Sequence, residues 1–260
     1  MKRTPIKNIT ERHQLILQKL EEDRKVTIQD LSDWMMVSGV TIRKDLKILE
    51  EKNLLFLTRG GASINNPYAV ERTINEKEQI NEREKQRIAK AALPLIGESD
   101  SIIIGSGTTV FHLARVLHPA KRLTVITPAL KVALELCHRP NVEVLQLGGM
   151  IRSSSSSATG NIAEKTLEEI SSGILFLGAD GIDLNFGISI TNLSESGLNQ
   201  KMMDVAQVIV IMADSSKFGR RGLGRICGIE QVQYIVTDDK VPPGAVKQLE
   251  EKGVHVIVAE

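Results

Sequence analysis

One segment of the sequence combines long cationic side chains with the spacing of a helix. Arg43, Lys44 and Lys47 follow the short stretch "VSG" at residues 37–39. Cations on one helical face can contact the phosphates and base edges of double-stranded DNA, and small residues at the helix start permit close approach to a groove. The hydroxyl of Ser38, or the free N–H groups behind it, can meet a phosphate. The pattern predicts DNA binding; a small helical interaction domain with a basic surface is the alternative.

A second set of polar residues lies in a turn between a predicted strand and a predicted helix, in "SIIIGSGTTVFHLA". Free N–H groups at a helix start form a cradle for a phosphate when a glycine allows close approach and hydroxyl groups add hydrogen bonds. The turn lacks the Gly-Lys-Ser of a Walker loop and the full glycine fingerprint of a dinucleotide site. A tight connection without a ligand is the alternative. The candidate residues are Ser106, Gly107, Thr108 and Thr109.

Three further loops carry carboxylates and a lysine. They are "GADGID", "TNLSES" and "ADSSKFGRR", and each is expected at the carboxyl edge of the predicted sheet, where open sheets bind ligands. Carboxylates accept hydrogen bonds from sugar hydroxyls, and a lysine can balance a phosphate. The alternative is that the aspartates cap turns and the lysine is solvated. The candidates for a phosphosugar site are Asp180, Asp183, Glu195, Asp214 and Lys217.

Three short helices and a β-hairpin within residues 1–63 must position the first set. In the third helix, Ile42, Leu46 and Leu49 form an apolar stripe, so the cations of this helix point away from the core or lie on its flank. A β-prone run with a pair of glycines follows, as in a tight hairpin. This order of elements predicts a winged helix-turn-helix. Other cations add to its positive charge: Arg12, Arg24, Lys25, Lys52 and Arg59.

The rest of the chain has a different texture. Residues 64–85 are rich in charge and poor in core residues, which predicts a linker that leads into a helix; a solvated helix face is the alternative. Beyond them, β-branched apolar runs such as "SIIIG", "LTVIT", "ILFLGAD" and "VIVIMAD" alternate with helical segments. Strands that are apolar on both faces and joined by helical crossovers indicate a largely parallel sheet covered by helices. Residues 86–260 are therefore predicted to form a doubly wound α/β domain that binds the effector and forms the oligomer.

The composition fits a globular protein of a reducing compartment. The 260 residues are 42% hydrophobic and 25% charged, with 2 cysteines. No apolar run reaches the roughly 18 residues of a membrane span, and the N-terminus lacks the apolar core of a signal peptide, so a cytoplasmic location is expected. Residues 1–60 hold 12 Lys and Arg against 9 Asp and Glu, whereas the remainder holds 21 against 23. The basic excess lies where DNA binding is predicted.

The stretch "VSGVTIRKDLKILEEKNLLFLTRGGA" resembles the winged helix-turn-helix of the DeoR family of bacterial sugar-operon repressors. In that family, a Ser-x-x-Thr-Ile-Arg-Arg-Asp-Leu recognition helix precedes a wing that ends in Gly-Gly-Ala. Lys44 replaces the usual second Arg, which keeps the charge but loses bidentate recognition of guanine. Together with the spacing, the resemblance implies DNA contacts by Ser38, Thr41, Arg43, Lys44, Lys47 and Arg59.

The C-terminal part also resembles this family, whose effector domain is similar to ribose-5-phosphate isomerase and CoA-transferase folds. The matching motifs are "GSGTT", "TPAL", "GGMIR", "GADGID" and "ADSSKFGRR", and "GGMIR" adds Arg152 to the candidate effector-binding residues. The chain departs from the family at Gly105, usually Asp, and at Pro128, usually Asn. Both changes remove a polar side chain expected near the ligand. The resemblance implies a phosphorylated sugar as effector, with a different sugar or an altered response as the consequence of these changes.

Two classes of function stay open at this point. One is a repressor that senses a phosphosugar, and the other is a sugar-phosphate isomerase or CoA-transferase-like enzyme with an accessory helical domain. An enzyme needs a positioned base or nucleophile, for which Glu195 or Asp180 would have to serve. The 5 histidines show no metal-ligand spacing and neither cysteine lies in a redox motif. We therefore expect no catalytic residue, metal or cofactor, and a homo-oligomeric repressor, dimer or tetramer, that binds operator DNA and no membrane.

Overall fold

The computed structural model describes residues 8–51, 54–58, 60–63, 73–242 and 244–260. The chain divides into two compact units, Met1–Val70 and Glu71–Glu260. Each unit has its own buried apolar cluster, so each can be understood by itself. In the described ranges, none of the helices combines the length and apolar character that crossing a bilayer requires.

The first unit is a winged helix-turn-helix, as predicted. Asn8 caps the first helix by accepting a hydrogen bond from the Thr10 amide at 2.9 Å, and Thr27 caps the second helix in the same way. An apolar cluster that includes Ile16, Leu31 and Leu46 joins the three helices. The three strands are antiparallel in the order β1-β3-β2. The elements are α1 (Ile9–Asp23), β1 (Lys25–Thr27), α2 (Ile28–Met35), α3 (Gly39–Glu51), β2 (Phe56–Thr58) and β3 (Gly61–Ser63).

The second unit alternates strands and helices. Its elements within the described residues are α4 (Ile74–Glu78), α5 (Glu82–Ala92), β4 (Ser101–Ile104), α6 (Thr108–Val116), β5 (Leu123–Thr127), α7 (Leu130–Leu136), β6 (Val142–Gln146), β7 (Met150–Arg152), β8 (Ser157–Thr159), α8 (Asn161–Glu168), β9 (Ser172–Gly178), β10 (Gly181–Asp183), β11 (Gly187–Ile190), α9 (Leu193–Asp204), β12 (Ala206–Met212), β13 (Gly224–Cys227), β14 (Tyr234–Asp238), α10 (Ala245–Glu250) and β15 (His255–Ala259). Strand β4 shows why these runs are apolar throughout. Ile102 and Ile104 pack into one buried cluster while Ile103 packs into the other, so both faces of the strand are covered.

The main sheet of the described residues has seven parallel strands in the order β15-β14-β12-β9-β4-β5-β6. The chain builds outwards from β4 to β6, and then from β9 to β15 in the opposite direction. The strand order therefore reverses between β4 and β9. In open α/β sheets, ligands bind at the carboxyl ends of the strands on either side of such a reversal. The predicted doubly wound, largely parallel fold is confirmed, with two small antiparallel sheets, β10-β11-β13 and β7-β8, added to it.

The segment predicted to be a linker, residues 64–85, has a different organisation from the one expected. Residues 64–72 lie outside the described residues, while α4 and the start of α5 belong to the second unit. Ile74 and Lys85 are buried there, 6% and 3% exposed. Lys77 and Asn81 of this segment pair with Asp180 and Asp214 of the second unit. The predicted boundary at residue 86 consequently falls inside α5.

Candidate functional site

Helix α3 presents the cations of the first unit to solvent. Ser38 precedes the helix, and its Oγ accepts a hydrogen bond from the Thr41 amide at 3.2 Å and lies 2.9 Å from Thr41 Oγ1. The Ser38 hydroxyl thus caps the helix start and fixes the Thr41 hydroxyl beside it. The side chains expected to contact DNA on this helix, Arg43, Lys44 and Lys47, are all exposed, opposite the buried Ile42, Leu46 and Leu49. Arg59, the candidate on the wing, lies outside the described residues.

A buried ion pair holds α3 against α1. The Arg12 Nε lies 2.7 Å from Asp45 Oδ2, Arg12 Nη2 lies 3.0 Å from Asp45 Oδ1, and His13 Nε2 lies 3.3 Å from the same Oδ1. Arg12 is 6% exposed and Asp45 is 1% exposed. The hydrogen bond to Asp45 raises the pKa of Arg12. The expectation that Arg12 adds to the surface charge is wrong, because its guanidinium is used inside the domain.

At the reversal of the main sheet, β4 leads through residues 105–107 into the N-terminus of α6. Gly107 has φ 134°, a backbone conformation in which a residue with a side chain would be strained. It turns the chain so that α6 begins at Thr108. Thr108 and Thr109 are buried, and Ser106 and Gly107 are partly buried. The first N–H groups of α6 have no partner within the helix, and they lie at the edge where an anion would bind. The structure therefore brings the four predicted residues to one helix start.

The loop after β9 supplies a carboxylate that two lysines share. Lys77 Nζ lies 2.9 Å and Lys217 Nζ lies 3.9 Å from Asp180 Oδ1. The Thr191 amide and hydroxyl donate to the other oxygen, Oδ2, at 3.2 and 3.0 Å. Burial opposes ionisation of Asp180, but the lysines and hydrogen bonds outweigh it, and its pKa is lowered. Asp180 is thus a charged, hydrogen-bonded carboxylate at the carboxyl edge of the main sheet.

Asp214 and Lys217 follow β12 in the same neighbourhood. Asp214, 2% exposed, accepts from Asn81 Nδ2 at 2.9 Å and from the Ser216 amide at 3.0 Å. Burial lowers the pKa of Lys217, while Asp180 and Asp214 act in the opposite direction. Asp214 therefore caps the turn that follows β12, as the alternative predicted. For Lys217, the solvated alternative is wrong, because its side chain is 21% exposed and faces Asp180.

Arg152 and Glu195 are also brought together. Arg152 Nε lies 3.5 Å from Glu195 Oε1, and the Ser157 hydroxyl donates to the same oxygen at 3.2 Å. Glu195 lies in the first turn of α9, which Asn192 caps. Because Thr191 binds Asp180 and immediately precedes this cap, the start of α9 is tied to the Asp180 cluster. The Arg152–Glu195 pair is thus linked to Asp180 through residues 191–195.

Asp183 has a different role from the other candidates. Its Oδ1 accepts from the amides of Asn185 at 2.9 Å and Phe186 at 2.7 Å, and from Arg221 Nη2 at 3.1 Å. These contacts stabilise the turn between β10 and β11. Asp183 is about 10 Å further along the extended chain than Asp180, at about 3.3 Å per residue. The structure uses this carboxylate to form a hairpin and does not bring it into the Asp180 cluster.

Three residues of this cluster were missed in the sequence: Lys77, Asn81 and Lys85. Lys85 Nζ donates to the backbone carbonyls of Lys77 and Ile80, the latter at 2.6 Å. Burial lowers the pKa of Lys85 to about 8. A signal for it existed, because Lys85 shares its helical face with Ile88, Ala89 and Ala92, which are all buried. Lys77 and Asn81 carry no such signal, since their partners are more than 100 residues away in sequence.

The cluster has the charge balance of an anion site. Three lysines, Lys77, Lys85 and Lys217, interact electrostatically with each other and with two carboxylates, Asp180 and Asp214. Glu78 and Arg220 also act on Lys85 and Lys217, so four cations face three carboxylates and one positive charge is left over. Such a site favours a phosphate, while its carboxylates can accept from hydroxyl groups. Among the residues that the structure describes, no group of three or more His, Cys, Asp or Glu side chains could hold a metal ion.

Family models match both parts of the chain. The DeoR-like helix-turn-helix domain matches residues 12–68, and the DeoR C terminal sensor domain matches residues 80–239. The putative aga operon transcriptional repressor of Escherichia coli O157:H7 is 37% identical over 96% of this chain and 93% of that repressor. The lactose phosphotransferase system repressor of Lactococcus lactis subsp. lactis is 32% identical over 91% of this chain and 93% of that protein. Ribose 5 phosphate isomerase A from Neisseria gonorrhoeae, a solved structure, has a TM-score of 0.38 and 18% identity over 53% of each chain.

A winged helix-turn-helix followed by an α/β unit defines a two-domain transcriptional regulator that binds DNA. The chain belongs to the DeoR family of transcriptional regulators. Both family domains occur in the expected order, and the similarity to curated regulators extends over nearly the whole chain. The resemblance inferred from the sequence motifs is confirmed.

Proposed function

We propose that the protein represses a sugar-catabolism operon and that a phosphorylated sugar, bound in the second unit, controls its affinity for DNA. The observation that carries this proposal is the pair Lys77 and Lys217 on the single carboxylate Asp180, in the loop after β9, whose Gly178 lies against Ser106. Lysines and helix N–H groups favour a phosphate, whereas carboxylates favour sugar hydroxyls. The names of the two curated relatives, which refer to an aga operon and to a lactose phosphotransferase system, support an effector related to sugars.

In this proposal the phosphate lies against the N-terminus of α6 and the lysines, and the sugar hydroxyls lie against the carboxylates. Asp183 is left out, because its oxygen is used in the β10–β11 turn. Glu195 and Arg152, which bind each other at 3.5 Å, form the far side of the site. The proposed effector-binding residues are Ser106, Gly107, Thr108, Thr109, Arg152, Asp180, Glu195 and Lys217.

The DNA contacts belong to α3 and the wing. We assign the major groove to α3, since its cations are exposed and its buried face is fixed by the core and by Asp45. A homo-oligomer, dimer or tetramer, would present two such helices to repeated half-sites of the operator. Because its target is operator DNA, we place the protein in the cytoplasm. The proposed contact residues are Ser38, Thr41, Arg43, Lys44, Lys47 and Arg59.

The DNA part of the proposal is tested with Arg43→Ala and a gel shift on the DNA upstream of the chain's own gene. A bidentate Arg–guanine contact contributes about 1–3 kcal/mol, which corresponds to a loss of roughly 5- to 150-fold in affinity. Lys121→Ala is the matched control, since Lys121 is an exposed cation of the second unit. If Arg43→Ala binds the operator DNA as tightly as the control does, α3 is not the recognition helix.

The effector part is tested with a panel of ribose 5-phosphate, glucose 6-phosphate, fructose 6-phosphate, fructose 1-phosphate and galactose 6-phosphate. At least one compound should raise the melting temperature of the second unit and change the operator affinity. Lys217→Ala should keep the operator affinity but lose most of the response to that compound. A coupled isomerase assay on the same panel tests the alternative of a sugar-phosphate isomerase. Steady turnover in this assay would indicate an enzyme.

A further inference from the structure

The short helix α4 and the turn after it, residues 73–81, are attached to the second unit by polar contacts. We call residues 73–81 the α4 segment. Of the five residues of α4, all described, the structure buries Ile74. Glu78 accepts from Lys131 at 2.7 Å and from Arg115 at 3.2 Å, and Asn75 accepts from Lys131 at 3.0 Å. Hydrogen bonds and ion pairs, rather than a large apolar face, therefore fix the position of this helix.

Three of these attachments end on the loops that surround the proposed effector site. Lys77 reaches Asp180, and Asn81 reaches Asp214. The Ile74 amide donates to the Ser154 carbonyl at 2.7 Å, in the loop that follows Arg152. Lys85 then binds the backbone carbonyls of Lys77 and Ile80, so α5 holds the C-terminal end of the segment. The α4 segment thus contacts three loops, those after β7, β9 and β12.

We infer that Lys77 is the residue through which a bound phosphosugar acts on the α4 segment, and that the segment passes this change to the chain that leads to the DNA-binding unit. The inference rests on the proposed function. Lys77 and Lys217 face the same oxygen of Asp180, so both ammonium groups share this carboxylate. A phosphate that enters the crevice competes with Asp180 for them. Lys217 lies on the second unit's own loop after β12, whereas Lys77 lies on the α4 segment.

The consequence follows from where Lys77 is attached. When its Nζ turns from Asp180 to a phosphate, the 2.9 Å contact is lost and the segment loses one of its three ties to the crevice loops. The segment directly follows residues 64–72, which connect the two units in sequence. A ligand can shift this equilibrium only as far as it binds the two arrangements with different affinity. Lys77 supplies such a difference, because it can contact either Asp180 or the ligand.

The experiment uses the full-length protein and the phosphosugar from the panel above that changes wild-type operator affinity most. The variants are Lys77→Met, which keeps the aliphatic stem and removes the charge, and Lys77→Arg, which restores a cation. Lys90→Met is the matched control, because Lys90 is an exposed lysine of α5. The measurements are amide hydrogen exchange in residues 73–81 and the ratio of operator affinities without and with the phosphosugar.

In the wild type and in Lys90→Met, the phosphosugar should speed exchange in the α4 segment and change operator affinity by about 5- to 150-fold, the usual range of allosteric coupling. In Lys77→Met, exchange should already be fast without ligand, and the affinity ratio should fall close to 1 while calorimetry still detects binding. Lys77→Arg should recover most of the ratio.

The two possible failures differ. If the wild type responds and Lys77→Met keeps the same affinity ratio, Lys77 is only a packing residue and the inference is wrong, although the proposed function stands. If no compound of the panel changes the wild-type operator affinity, the proposed function fails and the inference fails with it.

Discussion

Arg12 on α1 and Asp45 on α3 form an ion pair with almost no access to water, with Nε and Oδ2 only 2.7 Å apart. Asp45 lies on the same helix as the exposed cations, between Lys44 and Lys47 on the opposite face. The pair therefore sets the rotation and distance of α3 relative to α1. The residues that we propose to face DNA are therefore positioned by a buried carboxylate.

The first prediction concerns this pair. Asp45→Ala should lower the free energy of unfolding of the first unit by about 3–5 kcal/mol, because it leaves the Arg12 guanidinium buried without its partner. The double variant Arg12→Leu with Asp45→Leu should recover most of this loss, since no charge stays buried. Trp34 is the single tryptophan of the sequence and packs against the core of this unit, so urea unfolding followed by its fluorescence measures the effect. Equal stability of the single and double variants would contradict the prediction.

The second prediction concerns salt. Lys44 and Lys47 are exposed on α3, and we expect them to contact phosphates rather than bases. Each phosphate contact changes the slope of log affinity against log salt concentration by about 0.9. Lys44→Ala with Lys47→Ala should therefore reduce the slope by about 1–2, with a similar loss on specific and nonspecific DNA. Fluorescence anisotropy at several salt concentrations measures it, and an unchanged slope would assign these lysines to another role.

The third prediction concerns Gly105, at the end of β4. A Cβ at this position would lie 2.6 Å from Leu177 Cδ2, so Leu177 fills the space that a side chain would need. Gly105→Ala should destabilise the second unit by about 1–3 kcal/mol through overpacking, and Gly105→Asp should cost more because a carboxylate is buried there. In a Leu177→Ala background the cost of Gly105→Ala should fall by about 0.5–3 kcal/mol. Thermal unfolding of the four proteins forms this cycle, and strict additivity would show that Leu177 is not the obstacle.

The sequence was sufficient for the parts of the protein that depend on local pattern. The stripe of Ile42, Leu46 and Leu49 predicts both the buried face of α3 and its exposed cations. Apolar runs such as residues 101–104 predict strands that are buried on both faces, and the loops after such strands must meet at one edge of a parallel sheet. For this reason Asp180 and Lys217 could be placed together before the structure was known.

The parts that depend on distant polar partners could not be predicted. Arg12 looks like a surface cation until Asp45, 33 positions away, is packed against it. Lys77 and Asn81 lie in a sequence as polar as a linker, and only the folded sheet brings Asp180 and Asp214 to them. The sequence alone does not distinguish a charged side chain that is solvated from one that forms an ion pair with a distant carboxylate. Helical periodicity helps only where a charged residue interrupts an apolar stripe.

Lys85 is such a residue, and it gives the fourth prediction. Burial lowers the pKa of this lysine from 10.5 to about 8. Below about pH 8 both the folded and the unfolded chain carry the proton, and the folded state bears the full cost of a buried charge. Between about pH 8 and 10.5 the unfolded chain binds a proton that the folded chain does not. The wild-type free energy of unfolding should therefore rise with pH in this window, relative to a variant without the amine, by at most about 1.4 kcal/mol per pH unit.

Lys85→Met is that variant, and Lys90→Met is its control on the exposed side of α5. At pH 7.5 the sign of the difference is set by two opposing effects, because Met removes the buried charge but also leaves the carbonyls of Lys77 and Ile80 without their donor. The neutral amine keeps two N–H groups, so deprotonation can preserve both hydrogen bonds. Urea unfolding followed by far-ultraviolet circular dichroism at pH 7.5, 8.5 and 9.5, about the range of the expected titration, gives the three free energies. The wild-type free energy of unfolding should rise with pH relative to that of Lys85→Met and stay parallel to that of Lys90→Met. If wild type and Lys85→Met run parallel instead, Lys85 does not titrate in this window and its ammonium is fully compensated in the fold.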